Sequence, residues 1–363
     1  MKAVYYDQPG SPDVLKVMDS EIPVPNDNQI LVKVMAAGVN RPDIIQRQGN
    51  YPPPENHSPI LGLEVSGYIE KIGKNVKNFS LNNKVAALVN GGGYAEFCLA
   101  EQESTFKIPG DLSFNEAACI PECYFTAWSN LVQRGKLTRN QKVLIHGGTS
   151  GIGIAAIQIA KIFNSYVITT VGNVEKTEFC KNLGVNEVIN YKKQDFFEII
   201  KKSDVKNVNL ILDYVGGEYI LKNINLLDTE GTLVNIGFLK GSTTEINFMK
   251  IMLKRLQITG STLRIRNNKF KGQILSELKK FVFPLLIERK IKCFVDSVFK
   301  MARKSRPLNV SYAVPPFCIA PITPAKLPAL RSVIMPPAAS IKPPCPNIEA
   351  VLPGRANGDV TVS

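Results

Sequence analysis

The residues with the clearest chemical meaning stand in one run. Val143-Leu144-Ile145-His146-Gly147-Gly148-Thr149-Ser150-Gly151-Ile152-Gly153 leads into Ile154-Ala155-Ala156-Ile157-Gln158-Ile159-Ala160. A short apolar strand that turns through glycines into an amphipathic helix offers unpaired N–H groups and close backbone approach, which is what a pyrophosphate needs. Gly147, Ser150, Gly151 and Gly153 are therefore expected to cradle a dinucleotide. Some twenty residues on, an apolar run over residues 167–171 ends at Gly172-Asn173-Val174-Glu175-Lys176. An NAD site would carry Asp or Glu there, accepting from the ribose hydroxyls. Gly172 leaves room for a 2′-phosphate, Asn173 offers a donor and Lys176 a charge, so NADPH is expected over NADH. Glu175 is discordant, and a merely solvated Lys176 is the plainer alternative.

Elements that would position such a site can be read on both sides of it. Residues 1 to about 121 show short β-like runs at 2–6, 29–36, 64–72, 84–89 and 94–99, separated by turn clusters such as Pro25-Asn26-Asp27-Asn28 and Gly91-Gly92-Gly93. An antiparallel, barrel-like first domain is expected. From about Pro121 apolar strands at 142–146, 166–171, 210–214, 232–236 and 256–260 alternate with helical segments at 153–163 and 175–183. Alternating βα units predict a doubly wound parallel sheet with helices on both faces, an α/β fold.

Three further strings carry a resemblance: Ala37-Gly38-Val39-Asn40-Arg41-Pro42-Asp43, Gln46-Arg47-Gln48-Gly49-Asn50-Tyr51, and Pro59-Ile60-Leu61-Gly62-Leu63-Glu64-Val65-Ser66-Gly67. Over about residues 1–300 the chain resembles the zinc-independent quinone oxidoreductases of the medium-chain dehydrogenase/reductase superfamily. The resemblance implies a GroES-like β-barrel catalytic domain at 1–121, to which 266–300 returns, and a Rossmann NADPH-binding domain at 122–265. It implies NADPH-dependent reduction of a small-molecule quinone, and a homodimer joined through the edge near residues 256–260. The family's A-x-x-G-x-x-G turn appears as Gly147, Ser150 and Gly153. Serine at the middle glycine is what an inducible subtype carries, and there the equivalent serine and the tyrosine matching Tyr51 line the quinone pocket. Tyr51, Ser150 and Asn40 are thus the implied acceptor contacts. Lys176 and Tyr191 are implied at the 2′-phosphate beside Gly172 and Asn173. Val215 and Gly216, with Gly237 and Phe238, are implied under the nicotinamide ribose and ring, and Asn40 and Asp43 beside it.

Zinc-dependent relatives place a Cys and a His where this chain has Asn40 and Leu63, so no metal site is expected. His146, at a strand end, reads as a packed core residue, and His57 sits in a proline-flanked loop. Quinone reduction asks for no strong general base, since the cofactor supplies the electrons and the protein holds the partners together. An enoyl-thioester or alkenal reductase on the same scaffold remains an alternative, as does a non-catalytic, crystallin-like or RNA-associated NADPH-binding protein.

The whole-chain figures narrow the class. Of 363 residues 44% are hydrophobic and 21% charged, and no apolar run nears the roughly 18 residues of a spanning helix. A membrane protein is not expected. The start has no secretory pattern and the seven cysteines are scattered, which predicts reduced thiols and a cytoplasmic address. The net charge of +13 comes from dispersed Lys and Arg rather than basic runs, so it favours small anionic ligands over nucleic acid. Twelve of the 24 prolines follow Lys300. The resemblance implies a strand at 293–299, after which the family has an acidic helix and a final strand; residues 301–363 read instead as an atypical proline-rich, disordered tail.

Overall fold

The structure, a computed structural model, describes residues 1–301. The expectation placed on the proline-rich end lies outside these residues.

Strands β1 (Lys2–Tyr5) and β2 (Lys16–Asp19) pair antiparallel ahead of β3 (Gln29–Ala37). Helix α1 (Arg41–Arg47) follows β3, with Asn40 as its N-cap and Pro42 in its first turn, where the missing N–H costs nothing. Next come β4 (Glu64–Ile72), β5 (Lys84–Leu88), β6 (Phe97–Glu101) and β7 (Thr105–Lys107), and these five strands make one curled antiparallel sheet in the order β6-β3-β4-β5-β7. Its inner face follows the period of two: Ile30 and Val32, Val65, Ile69, Val85 and Ala87 pack into one core. The run expected at 94–99 moves to β6. Tyr94 is held as loop instead, donating its N–H to the Leu61 carbonyl and accepting from Val4 N.

Helices α2 (Phe114–Ala117) and α3 (Pro121–Trp128) lead to the second sheet. That sheet is built from β8 (Lys142–Ile145), α4 (Gly151–Ile162), β9 (Tyr166–Val171), α5 (Val174–Asn182), β10 (Glu187–Asn190), α6 (Phe196–Lys202), β11 (Val208–Asp213), α7 (Glu218–Leu226), β12 (Leu227–Asn235), α8 (Phe248–Lys254) and β13 (Gln257–Gly260). All six strands are parallel, in the order β10-β9-β8-β11-β12-β13. This is the doubly wound Rossmann order, whose switch point lies between β8 and β11.

Helices α9 (Asn268–Phe281) and α10 (Phe283–Ile287) pack back toward α3 and the first sheet: Phe281 stacks on Trp128 and Phe283 packs at a tilt against Phe106, at 5.7 and 4.9 Å between ring centroids. The strand expected at 293–299 does not form. These residues find no ladder partner among the described residues, and Phe294 leans instead on Phe179 of α5, ring centroids 5.0 Å apart.

Candidate active site

The turn after β8 is closed by its own atoms. Gly147 has φ +64°, and its N–H donates to Thr170 Oγ1 at 3.1 Å while Gly148 N–H donates to the Thr170 carbonyl at 3.1 Å. Ser150 caps α4: its hydroxyl accepts from Gly153 N at 2.9 Å and donates to the Gly147 carbonyl at 3.0 Å. With those donors spent, Gly151 and Ile152 are left with N–H groups that have no partner among the described residues at the mouth of α4. They are the donors available to an anion. The glycines are required sterically: a Cβ at Gly147 would lie 1.5 Å from Tyr214 Oη, and one at Gly153 2.3 Å from the Gly147 carbonyl oxygen.

Behind the turn runs a directed chain of hydrogen bonds. Thr170 Oγ1, having accepted from Gly147, faces His146 Nδ1 at 3.2 Å, and His146 Nε2 donates to Asn223 Oδ1 at 2.8 Å. Asn223 Nδ2 donates to Asp213 Oδ2, whose carboxylate takes the N–H groups of Val215 and Gly216. Each link fits a neutral imidazole protonated on Nε2. Burial pushes the His146 pKa below its ordinary value, against the opposing Asp213 charge. His146 is thus a buried packing residue that also joins the turn after β8 to the loop after β11.

That second loop is zipped to the one after β12. Lys240 N–H donates to the Val215 carbonyl and Gly217 N–H to the Gly241 carbonyl, both at 2.7 Å, so Val215-Gly216 and Gly237-Phe238 face each other. Tyr214 joins them to the phosphate turn, its hydroxyl donating to the Gly147 carbonyl at 3.1 Å. Burial pushes its pKa up to about 12.

At the end of β9, Gly172 lets Tyr191 come close: a Cβ would lie 2.9 Å from Tyr191 Oη. Asn173 caps α5, its side-chain oxygen taken by Lys176 N at 2.9 Å. Lys176 is buried, and its pKa is lowered first by that burial and then by the nearby Lys192, while Glu175 opposes. Glu175 itself points to solvent. Two positive side chains thus act on each other near the end of β9.

From the first sheet, Asn40 Nδ2 donates to Glu64 Oε1 at 2.8 Å, and Glu64 Oε2 accepts from Glu122 N at 2.8 Å. Since a Cβ on Gly151 would touch Cys123 Sγ at 2.6 Å, α3 bridges Asn40 to the mouth of α4. Asp43 is buried rather than open to a ligand, accepting from Asn40 N, Gly62 N and the Tyr94 hydroxyl. Burial pushes Asp43 up to about 6, Glu64 to about 8 and Glu122 to about 7. The half-buried Tyr51 ring lies 5.4 Å from the Arg264 guanidinium carbon.

Sequence reasoning passed over Glu64, Glu122, Thr170, Lys192, Tyr214, Asn223 and Arg264. Only Tyr214, at the end of an apolar run, carried a local signal.

No three His, Cys, Asp or Glu side chains converge on one point among the described residues. At the places the resemblance gives to zinc ligands stand an amide, Asn40, and a buried aliphatic, Leu63. This donor set does not fit zinc.

Comparison with known proteins agrees with this fold. The profile of the alcohol dehydrogenase GroES-like domain matches residues 26–128, and that of the zinc-binding dehydrogenases residues 151–280. Human quinone oxidoreductase is 33% identical over 270 residues, 72% of this chain and 80% of that protein. Among solved structures, the Escherichia coli quinone oxidoreductase complexed with NADPH superposes with a TM-score of 0.72 at 27% identity, covering 81% of this chain and 90% of that one. The CurK enoyl reductase superposes equally well, at 0.72 and 26% identity, over 82% of this chain and 91% of that one. By identity, coverage and fold together, the chain belongs to the quinone oxidoreductase family of the medium-chain dehydrogenases/reductases.

Proposed function

We propose that the protein reduces quinones with NADPH and without a metal. The observation that carries this reading is the end of β9, where Gly172 stands in place of a ribose-binding carboxylate and the charge of Lys192 reaches the buried Lys176. The relatives named quinone oxidoreductase support the acceptor class.

Bound NADPH supplies a hydride equivalent; the chain's own residues bind, orient and exclude water. Gly151 and Ile152 N–H donate to the pyrophosphate at the α4 mouth. Lys176, Lys192, Tyr191 and the Asn173 amide take the 2′-phosphate, with Gly172 leaving it space. Val215-Gly216 and Gly237-Phe238 support the nicotinamide half. Asn40, the capping residue of α1, has one amide hydrogen committed to Glu64 and offers its other amide hydrogen to nicotinamide or acceptor. The Tyr51 hydroxyl, its pKa raised by burial and by Glu122, stays protonated and donates to an acceptor carbonyl. Ser150 acts mainly by fixing the turn, since its hydroxyl already donates to Gly147. We assign residues 1–121 with 266–300 to the acceptor-binding domain and 122–265 to the NADPH domain. We also propose pairing as a homodimer through β13 and, from the free thiols of Cys98, Cys119, Cys123, Cys180 and Cys293, a cytoplasmic address.

The likeness to an enoyl reductase keeps a second acceptor class in view. Steady-state turnover with NADPH of 1,2-naphthoquinone, a 2-enal and an enoyl-CoA decides between them. We expect the quinone to be reduced and the other two not. Preference for the enoyl thioester, or no turnover of any acceptor, overturns the proposal.

A further inference from the structure

Arg264 stands in the segment between β13 and α9 and is 6% exposed. Its Nε and Nη2 both donate to the Asn90 carbonyl, at 3.0 and 2.6 Å. Its Nη1 is buried and has no hydrogen-bond partner. Beside it Lys271, 2% exposed, donates to Asn90 Oδ1 at 2.7 Å and to the Arg264 carbonyl at 3.0 Å. Two buried cations thus share one neutral residue, and neither forms an ion pair with a carboxylate among the described residues.

Buried charges are ordinarily paired, and a buried N–H without a partner costs free energy that something must offset. The carboxyls whose charge reaches Arg264 do not supply the partner. Asp43 is committed to three donors of its own, and Glu122 is held toward its neutral form by burial. What Arg264 does face is the Tyr51 ring, at 5.4 Å. Arg is suited to this task because its guanidinium keeps its charge when desolvated and donates in a fixed direction.

We propose that Arg264 is the anion-recognising residue of the acceptor pocket. Its Nη1 takes an acceptor oxygen that carries negative charge, so the pocket selects acidic quinones, those with an ionised hydroxyl beside the carbonyl, over neutral ones of the same shape. This rests on the reading of Tyr51 as an acceptor contact. It adds a recognition group that sequence reasoning did not assign.

The test is binding, with the protein saturated with NADP⁺ so that no turnover occurs. Calorimetry compares 2-hydroxy-1,4-naphthoquinone, an anion at neutral pH, with its neutral 2-methoxy analogue. The wild type is expected to bind the hydroxyquinone about tenfold more tightly or better, the size of one charge-assisted bond. Arg264→Gln should bring the two affinities within about threefold, and Arg264→Lys should restore part of the preference. Equal affinities in the wild type, or a preference that survives in Arg264→Gln, overturns the proposal. Should Arg264→Gln not fold, the wild-type ratio and Arg264→Lys decide. A loss of NADP⁺ affinity in Arg264→Gln that matches its loss of hydroxyquinone affinity assigns the residue to the cofactor instead, and also overturns it. Turnover of 1,2-naphthoquinone by the wild type is scored separately, so quinone reduction can stand where this inference fails.

Discussion

Lys176 carries the choice between the two nicotinamide cofactors. Lys176 is largely buried and lies in the field of Lys192, so on the proposed placement a 2′-phosphate meets two positive charges that a ribose hydroxyl does not match. Lys176→Ala is expected to weaken NADPH by roughly 1.5–3 kcal/mol, about tenfold to a hundredfold, and to leave NADH nearly unchanged. Fluorescence titration with both cofactors checks this, and equal losses for the two would count against it. His146 sets an acid limit. Its pKa is lower folded than unfolded, so its contribution is complete above its ordinary value near 6.5 and is lost as pH falls through the folded value. Glu64 has the opposite sign: its folded value of about 8 exceeds the ordinary 4.5, so the stability it gives is full below 4.5 and is lost as pH rises through 8. His146→Gln keeps an acceptor and a donor but cannot take up a proton. Urea unfolding between pH 7.5 and 5 should show a shallower acid loss for this variant, the wild type losing up to about 1.36 kcal/mol per pH unit more.

At the scale of elements, the strand-turn-helix of β8 and α4 is the most constrained piece. Gly147→Ala would force a left-handed alanine and drive its methyl into the Tyr214 hydroxyl, 1.5 Å away. We expect a cost of at least about 2 kcal/mol and loss of NADPH binding, read from the shift in melting temperature and from titration. This piece was legible in the sequence because its signals are adjacent: apolar run, glycines and helix within eighteen residues. The end of β9 was legible for the same reason. Arg264, Glu122 and Asn90 were not, since their meaning comes from three distant segments meeting, and no local pattern marks that meeting. Likewise the sequence at 94–99 alternates like a strand, yet Tyr94 is recruited by Leu61, Val4 and Asp43 into a loop. Tertiary contacts there outweigh intrinsic preference. The expected strand at 293–299 does not form, and among the described residues no ladder partner stands beside it, which no single run of residues can reveal.

At the scale of the whole molecule, the parallel sheet ends on one side at β13, and α8, which packs on the neighbouring β12, buries none of its residues. Phe248, Met252 and Leu253 are 72%, 63% and 65% exposed. An apolar helix next to an open strand edge is a surface that a second copy would cover, most simply about a two-fold axis. Light scattering at micromolar concentration should give twice the chain mass, and Met252→Asp with Leu253→Asp should halve it. A wild-type monomer would contradict the pairing. On the proposed placement of the cofactor, the chain of hydrogen bonds from Gly147 through Thr170, His146 and Asn223 to Asp213 would make the grip on one end of the cofactor depend on the grip on the other. Binding energies of 2′,5′-ADP and of nicotinamide mononucleotide should therefore sum to less than that of NADPH, beyond the gain from joining two fragments. Asn223→Leu, which cuts the chain at its middle, should shrink that surplus while each fragment, titrated alone, keeps most of its affinity.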